Sequence, residues 1–169
     1  DNVLIRDNHM VTLRSNGSCN DLNIGEGVSG QLRIGRNNSS AKFTLNMSGN
    51  LNIDNGGKIN VRNTSNATHD LNIEGNIVNN GTLAFSTSPT ATCRVSFNST
   101  TSDQLISGTG NNGFHTINLS KGQIEKILEI TSADFSCSPD GLLFLGGGTF
   151  KFSSPSSITT TVYDLNTSI

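Results

Sequence analysis

The chain has 169 residues, of which 33% are hydrophobic, 14% are charged and 81 are Asn, Gly, Ser or Thr. These four small residue types are unfavourable in helix interiors but common in strands and turns, so the composition argues against a helical bundle. A formal net charge of −2 and a pI near 5.8 give no electrostatic case for binding nucleic acid or an anionic membrane.

Short strands are predicted along the chain, because apolar residues recur at a spacing of two, which places their side chains on one face of a strand. The centres of successive strands lie about 8–12 residues apart, which is typical of all-β folds. In chain order the apolar pairs and triplets are Val3 with Ile5, Val11 with Leu13, Leu22 with Ile24, Leu32 with Ile34, Phe43 with Leu45 and Met47, Leu51 with Ile53, Ile59 with Val61, Leu71 with Ile73, Leu83 with Phe85, Val95 with Phe97, Ile117 with Leu119, and Phe150 with Phe152.

The connectors between these strands favour a stack of coils. Turns rich in Gly and Asn, which tolerate positive φ, separate the strands. The segment Leu45–Ile53 is echoed by Leu71–Val78. Offsets of 20 from Ile53 to Ile73 and of 24 from Val61 to Phe85 indicate a degenerate period in the low twenties. Because such a period is typical of stacked repeats, the predicted fold is all-β, a parallel β-helix (β-solenoid) of short strands with Gly and Asn corners. A β-sandwich is the alternative that strand spacing alone permits.

In a β-helix the aliphatic residues of each Leu-Asn-Ile triplet face inward and the Asn faces outward, where equivalent Asn side chains can form hydrogen-bonded ladders. No helix longer than two turns is expected. The stretch Lys126–Thr131 is assigned to a strand, although Ile124, Ile127 and Leu128 also have helical spacing, because so short an isolated helix is unstable. The residues predicted to face inward are Ile24, Ile34, Leu45, Ile53, Val61, Ile73, Phe85 and Phe97.

The sequence offers no constellation of catalytic, cofactor-binding or metal-binding residues. The acidic residues are dispersed, and Asp54–Gly57 lacks the ligand spacing of a calcium loop. The three histidines, His9, His69 and His115, are expected at surface or corner positions. The segment Gly108–Gly113 matches a dinucleotide-binding pattern only superficially and is interpreted as a loop, since no helix pattern follows it.

The three cysteines, Cys19, Cys93 and Cys137, are widely spaced and lack the pattern of a zinc site or a redox motif. We expect them to be small core residues, with one disulfide and one free thiol as the alternative. Because the chain has no Trp and a single Tyr, stacking of sugar rings on exposed aromatic side chains is not supported. The longest apolar cluster, Leu142–Leu145, is too short to span a bilayer.

Several segments of the sequence resemble the coils of one group of surface proteins. Asp1–Leu13 is similar to the "DNV-I-DGH-VTL" opening of β-helical proteins that Bacteroidota export by the type IX route, including gliding adhesins. Later coils of that family are similar to Cys19–Gly25, Gly49–Ile53, Gly75–Leu83 and Phe114–Leu119. The resemblance implies a right-handed parallel β-helix in a large secreted cell-surface protein. It also implies partners, namely flanking domains of the same chain and the secretion and outer-membrane machinery.

We therefore interpret residues 1–169 as a single β-helix segment of a longer secreted chain, with a non-catalytic structural or adhesin role in gliding or surface attachment. The alternative is a polysaccharide-degrading or polysaccharide-binding β-helix of the pectate-lyase type, with surface polysaccharide as the partner. No cofactor, nucleic acid or transmembrane segment is expected. The stretch Ile158–Asn166 lacks a recognisable cap, so we expect the C-terminal end to need downstream sequence, unless this stretch folds over the final coil.

Overall fold

The computed structural model describes residues 1–153, which consist of short strands and their connectors. This part of the chain contains no helix, and therefore none long and apolar enough to cross a membrane. The strands are β1 (Val3–Ile5), β2 (Met10–Leu13), β3 (Gly17–Cys19), β4 (Leu22–Ile24), β5 (Gln31–Ile34), β6 (Thr44–Met47), β7 (Leu51–Ile53), β8 (Lys58–Val61), β9 (Thr68–Ile73), β10 (Ile77–Asn79), β11 (Thr82–Ala84), β12 (Ser86–Ser88), β13 (Ala91–Phe97), β14 (Gln104–Ser107), β15 (Asn111–Phe114), β16 (Thr116–Leu119), β17 (Ile127–Ile130), β18 (Phe135–Cys137), β19 (Leu142–Phe144) and β20 (Thr149–Phe152).

The strands form three parallel sheets that wind around one core. The first sheet has the order β1-β4-β7-β10-β14-β17-β20, the second β2-β5-β8-β11-β15-β18, and the third β3-β6-β9-β13-β16-β19. Apart from β12, successive strands visit the three sheets in turn, so each passage makes one coil of a β-solenoid with about six coils. Within residues 1–153 the only antiparallel pair joins β12 to β13. The predicted parallel β-helix is confirmed, and the sandwich alternative is wrong.

The core is built from columns of apolar side chains, because in-register parallel strands place equivalent residues directly above one another. One column of the first sheet is buried from Leu22 through Leu51, Ile77 and Ile106 to Ile130, with the exposed Val3 at one end and the partly buried Phe152 at the other. All eight residues predicted to face inward are buried, and none is more than 6% exposed. The prediction of the core is therefore confirmed.

The coils differ in length more than the sequence suggested. Paired residues of β1 and β4 lie 19 positions apart, whereas those of β4 and β7 lie 29 apart. The predicted period in the low twenties therefore holds for some coils only. The offset of 24 between Val61 and Phe85 matches the register of β8 and β11, in which Lys58 pairs with Thr82. The offset between Ile53 and Ile73 compared two different sheets, since Ile73 pairs with Met47 in the third sheet while Ile53 lies in the first. The echo of Leu45–Ile53 in Leu71–Val78, by contrast, matches the register of the ladders.

The strand assignment of Lys126–Thr131 is confirmed by β17. The interpretation of Gly108–Gly113 as a loop is wrong for its second half, because β15 begins at Asn111. The Asn111 backbone N–H donates to the Gly81 carbonyl of the preceding coil at 3.0 Å. This bond involves only backbone atoms, so a polar side chain does not prevent it. The stretch Ile158–Asn166 lies outside the described residues.

A column of glycines occupies the corner between the first and second sheets. Gly30, Gly57, Gly81 and Gly110 each come directly before a strand of the second sheet, at equivalent positions of four successive coils. A Cβ on Gly81 would overlap the Gly57 carbonyl oxygen, and a Cβ on Gly110 would overlap that of Gly81. Glycine is required here because neighbouring backbones approach too closely for any side chain.

Amides on the outer surface connect neighbouring coils, as predicted. Asn52 Nδ2 donates to Asn23 Oδ1 at 2.8 Å, and Asn72 Nδ2 donates to Asn46 Oδ1 at the same distance. Each pair joins equivalent central residues of two Leu-Asn-Ile or Leu-Asn-Met triplets. The ladders satisfy side-chain polar groups that would otherwise compete for the backbone of the strands.

Candidate binding face

Five basic residues form a strip along the second sheet and the corner that follows it, and we call this strip the basic face. Arg33 lies on β5 and Lys58 on the adjacent strand β8. Arg14, Arg36 and Arg62 come within two residues of the ends of β2, β5 and β8, which are neighbours in the sheet. Three successive coils thus place five of the 11 Lys and Arg residues of the chain on the basic face.

The alternation of side chains along the strands places these charges outside. Leu32 and Ile34 are buried on either side of Arg33, and Ile59 is buried next to Lys58, so the two basic side chains face solvent. Neighbouring parallel strands lie about 4.8 Å apart, so the stacking of coils determines the spacing of the charges along the solenoid.

Two of the arginines are held by neutral oxygen atoms. Arg36 Nη2 donates to the Arg14 carbonyl oxygen at 2.8 Å, and its guanidinium carbon lies 5.4 Å from the centre of the Phe43 ring. Arg62 Nε donates to Asn37 Oδ1. A neutral acceptor orients a guanidinium group without cancelling its charge, so both groups stay available for an anion.

No carboxylate within residues 1–153 forms an ion pair with the basic face. In that part of the chain, the ion pairs within 4.0 Å join Lys42 and Arg94 to Asp70, and Lys151 to Glu129. The basic face therefore carries a positive charge that has no partner at short range. This charge is a local feature, since the chain as a whole has a net charge of −2.

Two shallow clefts open onto the basic face, and amide and hydroxyl groups line them together with the cations. The larger cleft, of about 450 Å³, is lined by Gln31, Arg33, Asn37, Lys58, Asn60, Arg62, Asn63 and Thr64. The second, of about 380 Å³, is lined by Arg14, Arg36, Asn37 and Arg62. Because they share Asn37 and Arg62, the clefts follow one another across the coils. This arrangement suits an extended anionic ligand with hydroxyl groups.

The basic face was missed by the sequence analysis, which relied on net charge. The five residues are spread over positions 14–62 and come together only through the register of the coils, which differ in length. One signal was present in the sequence: Arg14 and Arg62 each follow directly the last inward residue of an apolar pair. That signal becomes visible only when the pairs are aligned sheet by sheet.

His69 is buried, so the expectation of a surface or corner position is wrong for it. Its Nδ1 accepts the Phe43 backbone N–H at 3.1 Å, which places the ring proton on Nε2, 3.0 Å from Ser65 Oγ. The imidazole therefore donates to the serine, which is the opposite of what a general base would do. Burial lowers the pKa of His69. The pair contributes a buried polar contact to the third sheet.

The other two histidines lie at corners between strands, as expected: His9 is exposed between β1 and β2, and His115 is partly buried between β15 and β16. Cys93 is fully buried, as expected, but Cys19 and Cys137 are only partly buried at the margin of the core. All three are free thiols, so the disulfide alternative is wrong.

Lys121 is a fully buried cation that the sequence analysis did not single out. Its Nζ donates to the Ser102 carbonyl at 2.9 Å and to Gln104 Oε1 at 2.8 Å, while Gln104 Nε2 donates to the carbonyls of Ile73 and Gly75. Burial lowers the pKa of Lys121 to about 8. The ammonium group thus satisfies acceptors at the corner between the third and first sheets and is closed to external ligands.

The described residues contain no group of three or more His, Cys, Asp and Glu side chains placed to hold a metal ion. Comparisons with known protein families, with curated proteins and with solved structures find no significant match. The functional proposal therefore depends on the fold, on the basic face and on the resemblance of the repeated phrases.

Proposed function

We propose that this chain is a non-catalytic structural segment of a secreted cell-surface protein and contributes to surface attachment. The observation that carries the proposal is the unbroken stack of coils, in which three parallel sheets share one core through residues 1–153. A solenoid of this kind is extended along one axis and resists unfolding and proteolysis through continuous backbone pairing. These properties suit a protein segment that holds other parts of a chain away from a cell.

The resemblance of the repeated sequence segments to gliding adhesins supports a more specific proposal about how the protein is exported. We infer export by the type IX route, with the secretion and outer-membrane machinery and flanking domains as partners. Intact cells producing the protein should lose it on treatment with an external protease at high concentration. Cells in which type IX export is inactivated should retain it. Protection in both kinds of cell, together with degradation in a cell lysate treated with the same protease, would contradict the proposed location.

The attachment role is tested with the 169-residue chain coupled to beads. Coated beads should adhere to a polysaccharide-covered surface under flow more strongly than beads coated with the heat-denatured chain. Equal adhesion of the two preparations would contradict the proposal. The same preparation should not release unsaturated or reducing sugar ends from polygalacturonate, and turnover there would favour a polysaccharide lyase or hydrolase instead.

A polysaccharide-binding role is the second candidate, and the basic face favours it. The clefts there combine unpaired cations with amide and hydroxyl groups. This combination recognises anionic, hydroxyl-rich ligands without requiring catalytic residues.

A further inference from the structure

We propose that the basic face binds an acidic polysaccharide, with successive charged sugars contacting successive coils. This inference rests on the proposed attachment function and names the ligand of the face. The ligand class follows from charge, spacing and the polar groups of the two clefts.

The cations of the basic face form no ion pair within residues 1–153, while other cations of that region, such as Lys42 and Arg94, share Asp70. Like charges on neighbouring coils repel one another, and a bound anion relieves the repulsion. Arg36 and Arg62 are already oriented by neutral oxygens, so binding costs little additional side-chain entropy.

The basic groups are spaced along the axis of the solenoid. Coils repeat at about 4.8 Å, which is comparable with the length of one sugar ring. Arg14 and Arg62 flank the coil of Arg36, so three guanidinium groups follow one another in three coils. A planar guanidinium group can donate two parallel hydrogen bonds to a carboxylate or sulfate. An extended glycan with an acid on each sugar therefore matches the arrangement of the face.

The remaining lining groups favour a glycan over a nucleic acid. Gln31, Asn60 and Thr64 present amide and hydroxyl groups that can exchange hydrogen bonds with sugar hydroxyls. Neither cleft is lined by an aromatic side chain on which a base could stack.

The test measures binding of the 169-residue chain to immobilised polygalacturonate and dextran sulfate, with uncharged dextran and single-stranded poly(dT) as comparison polymers. Binding to one or both acidic glycans is expected, and their relative affinities distinguish carboxylate from sulfate recognition. The affinity should fall as salt is added, because the contacts are exposed. Dextran should not bind.

The decisive variant is the triple substitution Arg14→Gln, Arg33→Gln and Lys58→Gln. None of these side chains makes a hydrogen bond within residues 1–153, so the fold should be retained, as far-UV circular dichroism can verify. Removing three exposed charge contacts should weaken acidic-glycan binding about tenfold or more at low salt. The control is Arg6→Gln, Lys126→Gln and Lys151→Gln, which makes the same change of net charge at residues that line neither cleft. This control also removes the exposed Lys151–Glu129 ion pair and the Lys126 contact with the Thr101 carbonyl, so its fold is verified by far-UV circular dichroism in the same way. It should keep most of the affinity.

Equal loss in both triple variants would overturn the proposal, because binding would then depend only on net charge. Tighter binding of poly(dT), or no binding of either acidic glycan, would also overturn it. The surface-exposure experiment is independent of these results. If the protein is exposed on cells but does not bind acidic glycans, the proposed ligand is wrong and the proposed location still stands.

Discussion

Substituting Gly81 by alanine tests the close approach of coils at the glycine column. The new Cβ would lie 2.5 Å from the Asp54 carbonyl oxygen and still nearer to that of Gly57, whereas ordinary contact begins at 3.4 Å. Both atoms belong to the backbone, so a coil must shift by about 1 Å, which breaks a hydrogen bond of ordinary length. The Thr82 N–H donates to the Gly57 carbonyl at 3.0 Å and is the bond most directly affected.

The expected cost follows from two contributions. A lost backbone hydrogen bond between coils costs about 1 kcal/mol, and overpacking of a rigid site costs about 1–3 kcal/mol, so Gly81→Ala should lower the free energy of unfolding by about 3 kcal/mol. The assay is urea denaturation followed by far-UV circular dichroism, which needs no tryptophan. The midpoint should move to lower urea concentration.

Gly17→Ala is the matched control. The nearest atoms to a Cβ on Gly17 are side-chain carbons of Leu13 and Leu45, at 3.5 and 3.7 Å, and its φ is not in the left-handed region. This variant should be neutral or more stable by up to about 1 kcal/mol, because alanine restricts the unfolded chain. The reasoning is refuted if the two alanine variants unfold at the same urea concentration.

Three further predictions concern buried groups. Burial lowers the pKa of His69, so at mildly acidic pH the imidazole is protonated more readily in the unfolded chain than in the folded chain. The free energy of unfolding should therefore fall as the pH drops below about 6.5. Urea titrations of a His69→Gln variant should show a smaller fall between about pH 8 and pH 5, and an unchanged pH dependence would contradict this. Burial also raises the pKa of the Cys93 thiol, so iodoacetamide should modify Cys19 in the folded protein and Cys93 only after unfolding, as peptide mass spectrometry can show. Asn79 Nδ2 donates to Asn112 Oδ1 inside the core at 3.1 Å, so replacing either residue by leucine should cost about 2 kcal/mol, and the double variant should cost less than the sum in a double-mutant cycle.

Much of the fold could be predicted from the sequence because its strands alternate apolar and polar residues. The pairs Leu22 with Ile24 and Leu51 with Ile53 each identify a strand and its inward face. They also place the Asn between the two apolar residues on the outer surface. The second half of Gly108–Gly113 could not be recognised in this way, since β15 is held mainly by backbone bonds from neighbouring coils. Local sequence does not contain that information.

The candidate site depends on register, which the sequence determines only weakly. Arg33 pairs with Asn60, 27 positions later, but no constant period predicts that pairing, because the coils differ in length. The burial of His69 was missed for a related reason. Its stabilising contact, the backbone N–H of Phe43, comes from the preceding coil of the same sheet.

The unequal coil lengths have a consequence for how the protein can diversify. The corner between the second and third sheets takes three residues after β2 but nine after β5, while the adjoining strands keep their register. Insertions and deletions at this corner therefore leave the core columns intact. Arg14, Arg36 and Arg62 lie at this same corner. Changes in loop length at this corner can consequently move the three guanidinium groups relative to one another while the register of the neighbouring strands is kept.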